Sequence, residues 1–151
     1  MVRGVLLHGT LTSCIIQAFY EVYNVLGYGF VESIYATSLE GELLDRGHAV
    51  SREHAIRVTY KGREVGFQRA DMVVDEKVIV ELKATPVLPP YCERQLLNYL
   101  RGTNLEIGLL LHFGPQPKFH RVASFNRQTA PAGVVAVAVV GAVTLAVAVP
   151  V

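Results

Sequence analysis

The segment from Asp71 to Lys83 constrains the fold more than any other part of the chain. Two short β-branched runs, residues 72–74 and 78–80, flank three polar residues that are typical of a tight turn. Side chains alternate between the two faces of a strand, so Glu81 and Lys83 are expected on the same face. Antiparallel pairing through the turn would bring Asp71 close to Glu81. The sequence therefore predicts a hairpin that carries two carboxylates and a lysine at one end.

Two carboxylates and a lysine in this arrangement could form a metal site. Two carboxylates can bind a hard divalent cation through oxygen, and a lysine beside that cation can orient water or offset negative charge. However, the spacing of Glu81 and Lys83 also occurs on the solvated face of ordinary sheets, so it identifies no site by itself. The flanking sequence has to decide between the two interpretations.

Composition sets modest limits. The 151 residues suit one domain, and a formal net charge of +1 neither favours nor excludes nucleic acid as a partner. The two cysteines, Cys14 and Cys92, lie far apart in sequence, and the five histidines show no paired spacing, which argues against a zinc site. The first apolar run is too short for a cleavable signal sequence, so a cytoplasmic location is expected.

Hydrophobic spacing predicts the order of the secondary structure. We expect helices capped by Thr12 or Ser13 and ended by Gly27, from about residue 31 to 46, and from 93 to 101. Strands are expected at about 49–60, 64–74, 78–84, 107–111 and 119–125. One stripe of the second helix should be buried, formed by Ile34, Tyr35, Leu39 and Leu43. Because a helix separates the third and fourth strands, we predict an α+β (mixed α/β) fold with a central mixed sheet flanked by helices.

The end of the chain differs from the rest. Residues 130–149 are mostly Val, Ala and Gly and carry no charge, so we divide the chain into a domain, 1–127, and an apolar tail, 128–151. Alternating valines favour a peripheral strand, and a poorly ordered extension is the second form considered. Residues 132–149 are also just long enough to span a membrane, with basic residues before them, so a membrane tether stays open. An aberrant terminus without a function is the remaining alternative.

Several short motifs follow one another in a fixed order. Gly29, Glu32 and Tyr35 have the spacing GxxExxY, and the Glu81–Lys83 stretch has the form ExK. A Gln95-to-Leu100 helical motif and a strand motif at 108–114 complete the series. In this order the motifs resemble the PD-(D/E)xK nuclease superfamily and, within it, the small proteins named for GxxExxY. The resemblance covers about residues 13–125.

The resemblance implies a restriction-endonuclease-like core and a Mg²⁺-dependent nuclease that hydrolyses phosphodiester bonds of DNA or RNA. Mn²⁺ is the alternative ion, and no organic cofactor is implied. The implied metal ligands are the carboxylates of Glu32, Asp71 and Glu81. Lys83 would orient the attacking water or stabilise the transition state, and Gln95 would be an auxiliary polar catalytic residue.

A rival from another class also stays open. A nuclease-like module that binds nucleic acid or a protein without cutting, tethered or not by its tail, would have the same fold, because a fold constrains function only weakly. The intact Asp71, Glu81 and Lys83 favour the enzyme. The sequence assigns no oligomeric state. A set of basic residues on the expected strands could follow a phosphate backbone, namely Arg52, Arg57, Lys61, Arg63 and Arg69.

Overall fold

The computed structural model of the protein describes residues 7–125 and 137–140. The helices in these ranges are α1 (Gly9–Leu26), α2 (Glu32–Asp45) and α3 (Cys92–Arg101). The strands are β1 (Val50–Tyr60), β2 (Arg63–Val74), β3 (Val78–Lys83), β4 (Ile107–Phe113), β5 (Pro117–Ser124) and β6 (Val137–Val140). Each element expected before the tail is therefore present.

The strands form one sheet with a simple topology. Their spatial order is β1-β2-β3-β4-β5-β6, which is also their order in the chain. All neighbours are antiparallel except β3 and β4, which run parallel and pair from Val78 with Ile107 to Lys83 with His112. Helix α3 makes the crossover that a parallel pair requires. The predicted α+β class with a mixed central sheet is confirmed.

Helices cover both faces of the sheet. Along β3, Val80 and Leu82 belong to a buried cluster with α1 and α2, whereas Ile79 belongs to a second cluster with α3. Burying a large aliphatic or aromatic side chain contributes about 1.5–3 kcal/mol, so these two clusters hold the layers together. The alternation places Glu81 in the same row as Ile79 and therefore on the side of α3.

A glycine sets the distance between α3 and the sheet. A Cβ atom on Gly108 of β4 would lie only 2.7 Å from Cδ1 of Leu96 on α3. Leu96 is fully buried, and its side chain occupies the space that this Cβ atom would need. The close approach of α3 to β4 therefore depends on the missing side chain, and it positions the residues of α3 over the central strands.

The first two strands extend well beyond the third. β1 and β2 pair from Val50 with Val74 to Tyr60 with Arg63, but β2 pairs with β3 only over Met72–Val74. The remaining part, residues 53–69, is a two-stranded ribbon whose side chains are mostly exposed. We call it the ribbon below.

Two details of the helices differ from the expectation. Helix α1 begins at Gly9, after His8 in a left-handed conformation (φ 53°), and Thr12 donates a hydrogen bond to the Gly9 carbonyl inside the helix. The predicted cap at Thr12 or Ser13 is therefore wrong. In α2, Ile34 is 40% exposed, because residues 35, 39 and 43 follow an i, i+4 stripe and Ala36 flanks that stripe instead.

Part of the tail joins the sheet. Val137–Val140 forms β6 and pairs antiparallel with β5, with Val139 opposite Val122. The alternating valines favoured a strand, and these four residues form one. The other tail residues, and with them the extension and the membrane tether, lie outside the described residues. No helix within 7–125 is long and apolar enough to cross a membrane. The division at residue 127 stays a prediction.

Candidate metal and catalytic site

The site begins where β2 and β3 separate. Their paired register ends at Met72 and Val80, which are the immediate chain neighbours of Asp71 and Glu81. At that point the Asp71 N–H donates to Oε1 of Glu81 at 2.9 Å, and the Leu82 N–H donates to Oδ2 of Asp71 at 2.7 Å. Each carboxylate thus replaces a main-chain acceptor of the facing strand. The two acidic side chains are fixed side by side, as the hairpin register predicted.

The turn at the other end of the hairpin sets this register. Asp75 and Glu76 both have left-handed φ values, 52° and 56°, and the Lys77 N–H donates to the Val74 carbonyl at 3.0 Å. Two consecutive left-handed residues give the twist that joins antiparallel strands closely. A shift of one residue would turn Glu81 to the opposite face of the sheet.

The acidic pair is electrostatically strained. Glu81 is only 5% exposed, and burial, followed by the charge of Asp71, raises its pKa to about 8. The hydrogen bond from the Asp71 amide acts in the opposite direction but is outweighed. A buried carboxyl group beside a second carboxylate is a favourable place for a divalent cation, because the cation removes the repulsion between them.

Lys83 and Glu32 belong to the same cluster. Burial works against the charge of Lys83, but the carboxylate of Glu32, and then those of Glu81 and Asp71, raise its pKa. The lysine is therefore an ammonium group at neutral pH. The pKa of Glu32 is raised by burial and then by Asp71, while Lys83 and a hydrogen bond from the Ala84 amide lower it.

The GxxExxY residues explain how Glu32 reaches this place. Gly29 has φ 111°, a conformation that other residues rarely adopt. The Tyr35 hydroxyl donates to the Gly27 carbonyl at 2.5 Å and accepts from the Phe30 N–H at 3.2 Å. Tyr35 therefore ties down the loop that precedes α2. Glu32 follows as the first residue of that helix, where a carboxylate is electrostatically favourable.

Helix α3 contributes Gln95 and a residue that the sequence analysis did not include. The side chain of Gln95 hydrogen-bonds that of Tyr99, which is only 4% exposed. Burial, and then the charges of Glu81 and Asp71, raise the pKa of Tyr99 to about 12, so its hydroxyl stays protonated beside the acidic pair. The i, i+4 spacing of Gln95 and Tyr99 is the sequence signal that could have identified this pair.

His112 supports the chain beyond Lys83. It is buried on β4 opposite Lys83, and its Nε2 atom lies 2.7 Å from the Thr85 carbonyl. A ring N–H that donates to this carbonyl fixes the segment that leaves the site. We treat His112 as a structural residue beside the site.

The donor set fits a Mg²⁺-type cation. Mg²⁺ usually keeps several water ligands and binds protein through one or two carboxylates, which Asp71 and Glu81 supply. Across residues 7–125, no three His, Cys, Asp or Glu side chains are close enough to form a ready metal cluster. The complete three-ligand set of Glu32, Asp71 and Glu81 therefore stays a prediction.

Comparison with known proteins agrees with this geometry. A sequence model of the PD-(D/E)XK nuclease superfamily matches residues 9–122, a range that includes all the site residues described above. The chain therefore belongs to the PD-(D/E)XK nuclease superfamily, and the expected restriction-endonuclease-like fold class is confirmed. No curated protein and no solved structure matches the chain.

We expect Glu81 to make the metal-free protein less stable as pH rises. Its folded-state pKa of about 8 exceeds the ordinary 4.5, so the folded chain holds a proton that the unfolded chain releases. Stability from this group is complete below about pH 4.5 and is lost towards pH 8. In thermal melts with EDTA, Glu81→Gln should remove this slope and melt roughly 3–6 °C above wild type at pH 8.

An exposed carboxyl provides the matched control. Glu21→Gln on α1 changes the same functional group at the surface and should keep the wild-type slope. Parallel pH profiles for wild type and Glu81→Gln would contradict the strained acidic pair.

Proposed function

We propose that the protein is a Mg²⁺-dependent nuclease of the GxxExxY type that hydrolyses phosphodiester bonds of DNA or RNA, with Mn²⁺ as an alternative ion. One observation carries the proposal. Asp71 and Glu81 hold each other through main-chain amides at the point where two strands separate, with Lys83 on the same strand. Membership of the nuclease superfamily supports the same conclusion.

Each residue has a role that its surroundings support. A bound cation would supply Lewis acidity towards the scissile phosphate, held by Asp71 and Glu81 with Glu32 as the third carboxylate. The ammonium group of Lys83 would orient the attacking water and offset charge on the nonbridging oxygens. Gln95 would act through Tyr99, with which its side chain interacts.

The ribbon supports nucleic acid as the substrate. Arg69 lies two residues before Asp71 on β2, and its guanidinium is 5.7 Å from the ring centre of Phe67. Near the tip, the Lys61 ammonium is 5.5 Å from the Tyr60 ring centre. A cavity of about 550 Å³ on the ribbon is lined by Arg52, Arg57, Arg69 and Phe67 together with Glu53, Ala55 and Glu64. Arg57 lies 3.7 Å from Glu64, and Arg52 lies 2.7 Å from Glu40 on α2. Exposed cations of this kind bind phosphates, and aromatic rings stack on bases.

Cleavage assays test the proposal. Purified protein is incubated with plasmid, single-stranded DNA and RNA, each with Mg²⁺, Mn²⁺ or EDTA. The proposal predicts cleavage of at least one substrate with a divalent ion and none in EDTA.

The rival is a module that binds without cutting, and the lack of a ready three-ligand cluster in the described residues is the observation in its favour. Binding without cleavage under all conditions would establish it.

We expect Lys83→Ala to lower the cleavage rate by about two orders of magnitude or more, because a preorganised group that stabilises charge is removed. Single-turnover cleavage at saturating Mg²⁺ measures the effect. Lys77→Ala, in the exposed turn at the other end of the hairpin, is the matched control and should cut at the wild-type rate. A Lys83→Ala protein that cuts equally fast would contradict the assigned role.

We expect charge reversal on the ribbon to weaken binding of nucleic acid. Arg57→Glu combined with Arg69→Glu should raise the Kd about tenfold or more and reduce its dependence on salt, because phosphate contacts release counterions. Fluorescence anisotropy in EDTA measures binding separately from cleavage. Lys77→Glu makes a charge change of the same kind away from the ribbon and should leave the Kd nearly unchanged. Equal affinities in all proteins would remove the ribbon from the binding surface.

A further inference from the structure

A second group of reactive side chains lies at the turn end of the hairpin, opposite the end that carries Asp71 and Glu81. The Nε2 atom of His48 is 3.1 Å from Sγ of Cys14 on α1, and its Nδ1 atom is 2.7 Å from Oδ2 of Asp75. The imidazole therefore bridges a thiol and a carboxylate. This arrangement has the order found in nucleophilic catalysis: Cys14 as the nucleophile, His48 as the base, and Asp75 as the group that orients the base.

The hydrogen bonds assign the protons. Burial acts against the charge of Asp75, but hydrogen bonds from His48 and from the Ala49 amide (2.8 Å) outweigh it and lower its pKa. An ionised carboxylate only accepts, so Nδ1 of His48 carries the hydrogen in this bond. In the neutral imidazole, the lone pair of Nε2 then faces the Cys14 thiol. His48 is placed to take the thiol proton.

Two further charged groups lie near the thiol and its partners. Arg46, at the end of α2, bonds Glu42 at 3.0 Å, and this bond together with a weaker one to Cys14 raises the pKa of its guanidinium. A cation beside sulfur stabilises a thiolate. The charge of Lys77, two residues after Asp75, also contributes to the lowered pKa of the Asp75 carboxyl.

The geometry suits a reactive thiol and does not suit a metal site. His48 uses one ring nitrogen for Cys14 and the other for Asp75, so the three groups cannot converge on one ion. No metal-binding group of three such residues occurs in the described ranges. Cys14 is partly exposed and can be reached by a small reagent, whereas the other cysteine, Cys92, is 2% exposed.

We propose that Cys14 is a reactive nucleophile activated by His48, which Asp75 orients, and that Cys14 is a site of covalent modification by small disulfides. The thiolate attacks one sulfur of the disulfide, a mixed disulfide forms, and the S–S bond of the reagent breaks. The second sulfur leaves as a thiolate with the bonding electron pair and receives the proton from His48. No further oxidant is needed. This site does not depend on the nuclease proposal.

Reaction with the aromatic disulfide DTNB tests the proposal in the full-length chain. Cys92→Ala leaves Cys14 as the only thiol, and its reaction rate at pH 7 is compared in the native protein and in urea. Activation predicts that native Cys14 reacts at least about tenfold faster than unfolded Cys14. A half-buried thiol without activation would be protected and react more slowly when native, and that result would overturn the proposal.

Variants of the histidine provide the second measurement. His48→Gln should lower the native rate about tenfold or more, and Asp75→Asn should lower it less, because it disturbs only the orientation of the base. His54→Gln changes an exposed histidine of the ribbon and is the matched control, with the wild-type rate expected. Circular dichroism checks folding. If His48→Gln does not fold, the native-to-unfolded ratio decides alone. A folded His48→Gln protein that reacts at the wild-type rate would overturn the proposal.

Discussion

The pair of hydrogen bonds that joins Asp71 and Glu81 to opposite main chains is the interaction on which the site depends. Between Met72 and Val80 the two strands pair through their main chains, and beyond that point side-chain carboxylates take over. The main-chain donors remain satisfied although the strands separate. The separation allows β2 to continue into the ribbon while β3 stays in the centre of the sheet. One local device thus places two carboxylates together and directs a basic surface away from the core.

This device has an energetic cost that the rest of the fold offsets. Burying Glu81 beside Asp71 disfavours ionisation of Glu81, and the nearby ammonium group of Lys83 compensates only partly. The packed clusters on both faces of β3 hold the strand in place despite the repulsion. Perturbed carboxyl groups inside a well-packed frame are typical of functional sites, where binding of a cation or substrate relieves the strain.

The sequence predicted the parts of the site that depend on local geometry. Strand alternation and the turn were enough to place Asp71, Glu81 and Lys83 at one end of a hairpin. The exposure of Ile34 was not predictable, because the buried stripe of α2 is set by contacts with another helix and the sheet. Tyr99 was missed since tyrosines at helical spacing occur in most cores. Tyr99 lies beside the acidic pair because α3 packs closely against β4 at Gly108.

Contacts between distant parts of the chain could not be predicted from the sequence. Cys14 and His48 are separated by 34 positions, and His48 and Asp75 by 27. No spacing rule links them, and they meet only because the loop after α2 lies against the β2–β3 turn, where the Asp75 N–H donates to the Ala49 carbonyl at 2.9 Å. The same turn that sets the register of Asp71 and Glu81 thus completes the Cys14 group.

We propose that Asp71 and Glu81 together bind the divalent cation. Crystals soaked in Mn²⁺ and measured at a wavelength where manganese scatters anomalously test it most directly. We expect one strong anomalous peak between the two carboxylates, with oxygens of both at about 2.0–2.3 Å, and no such peak in Asp71→Asn crystals. A peak that lies elsewhere, or one that persists unchanged in Asp71→Asn, would contradict the account.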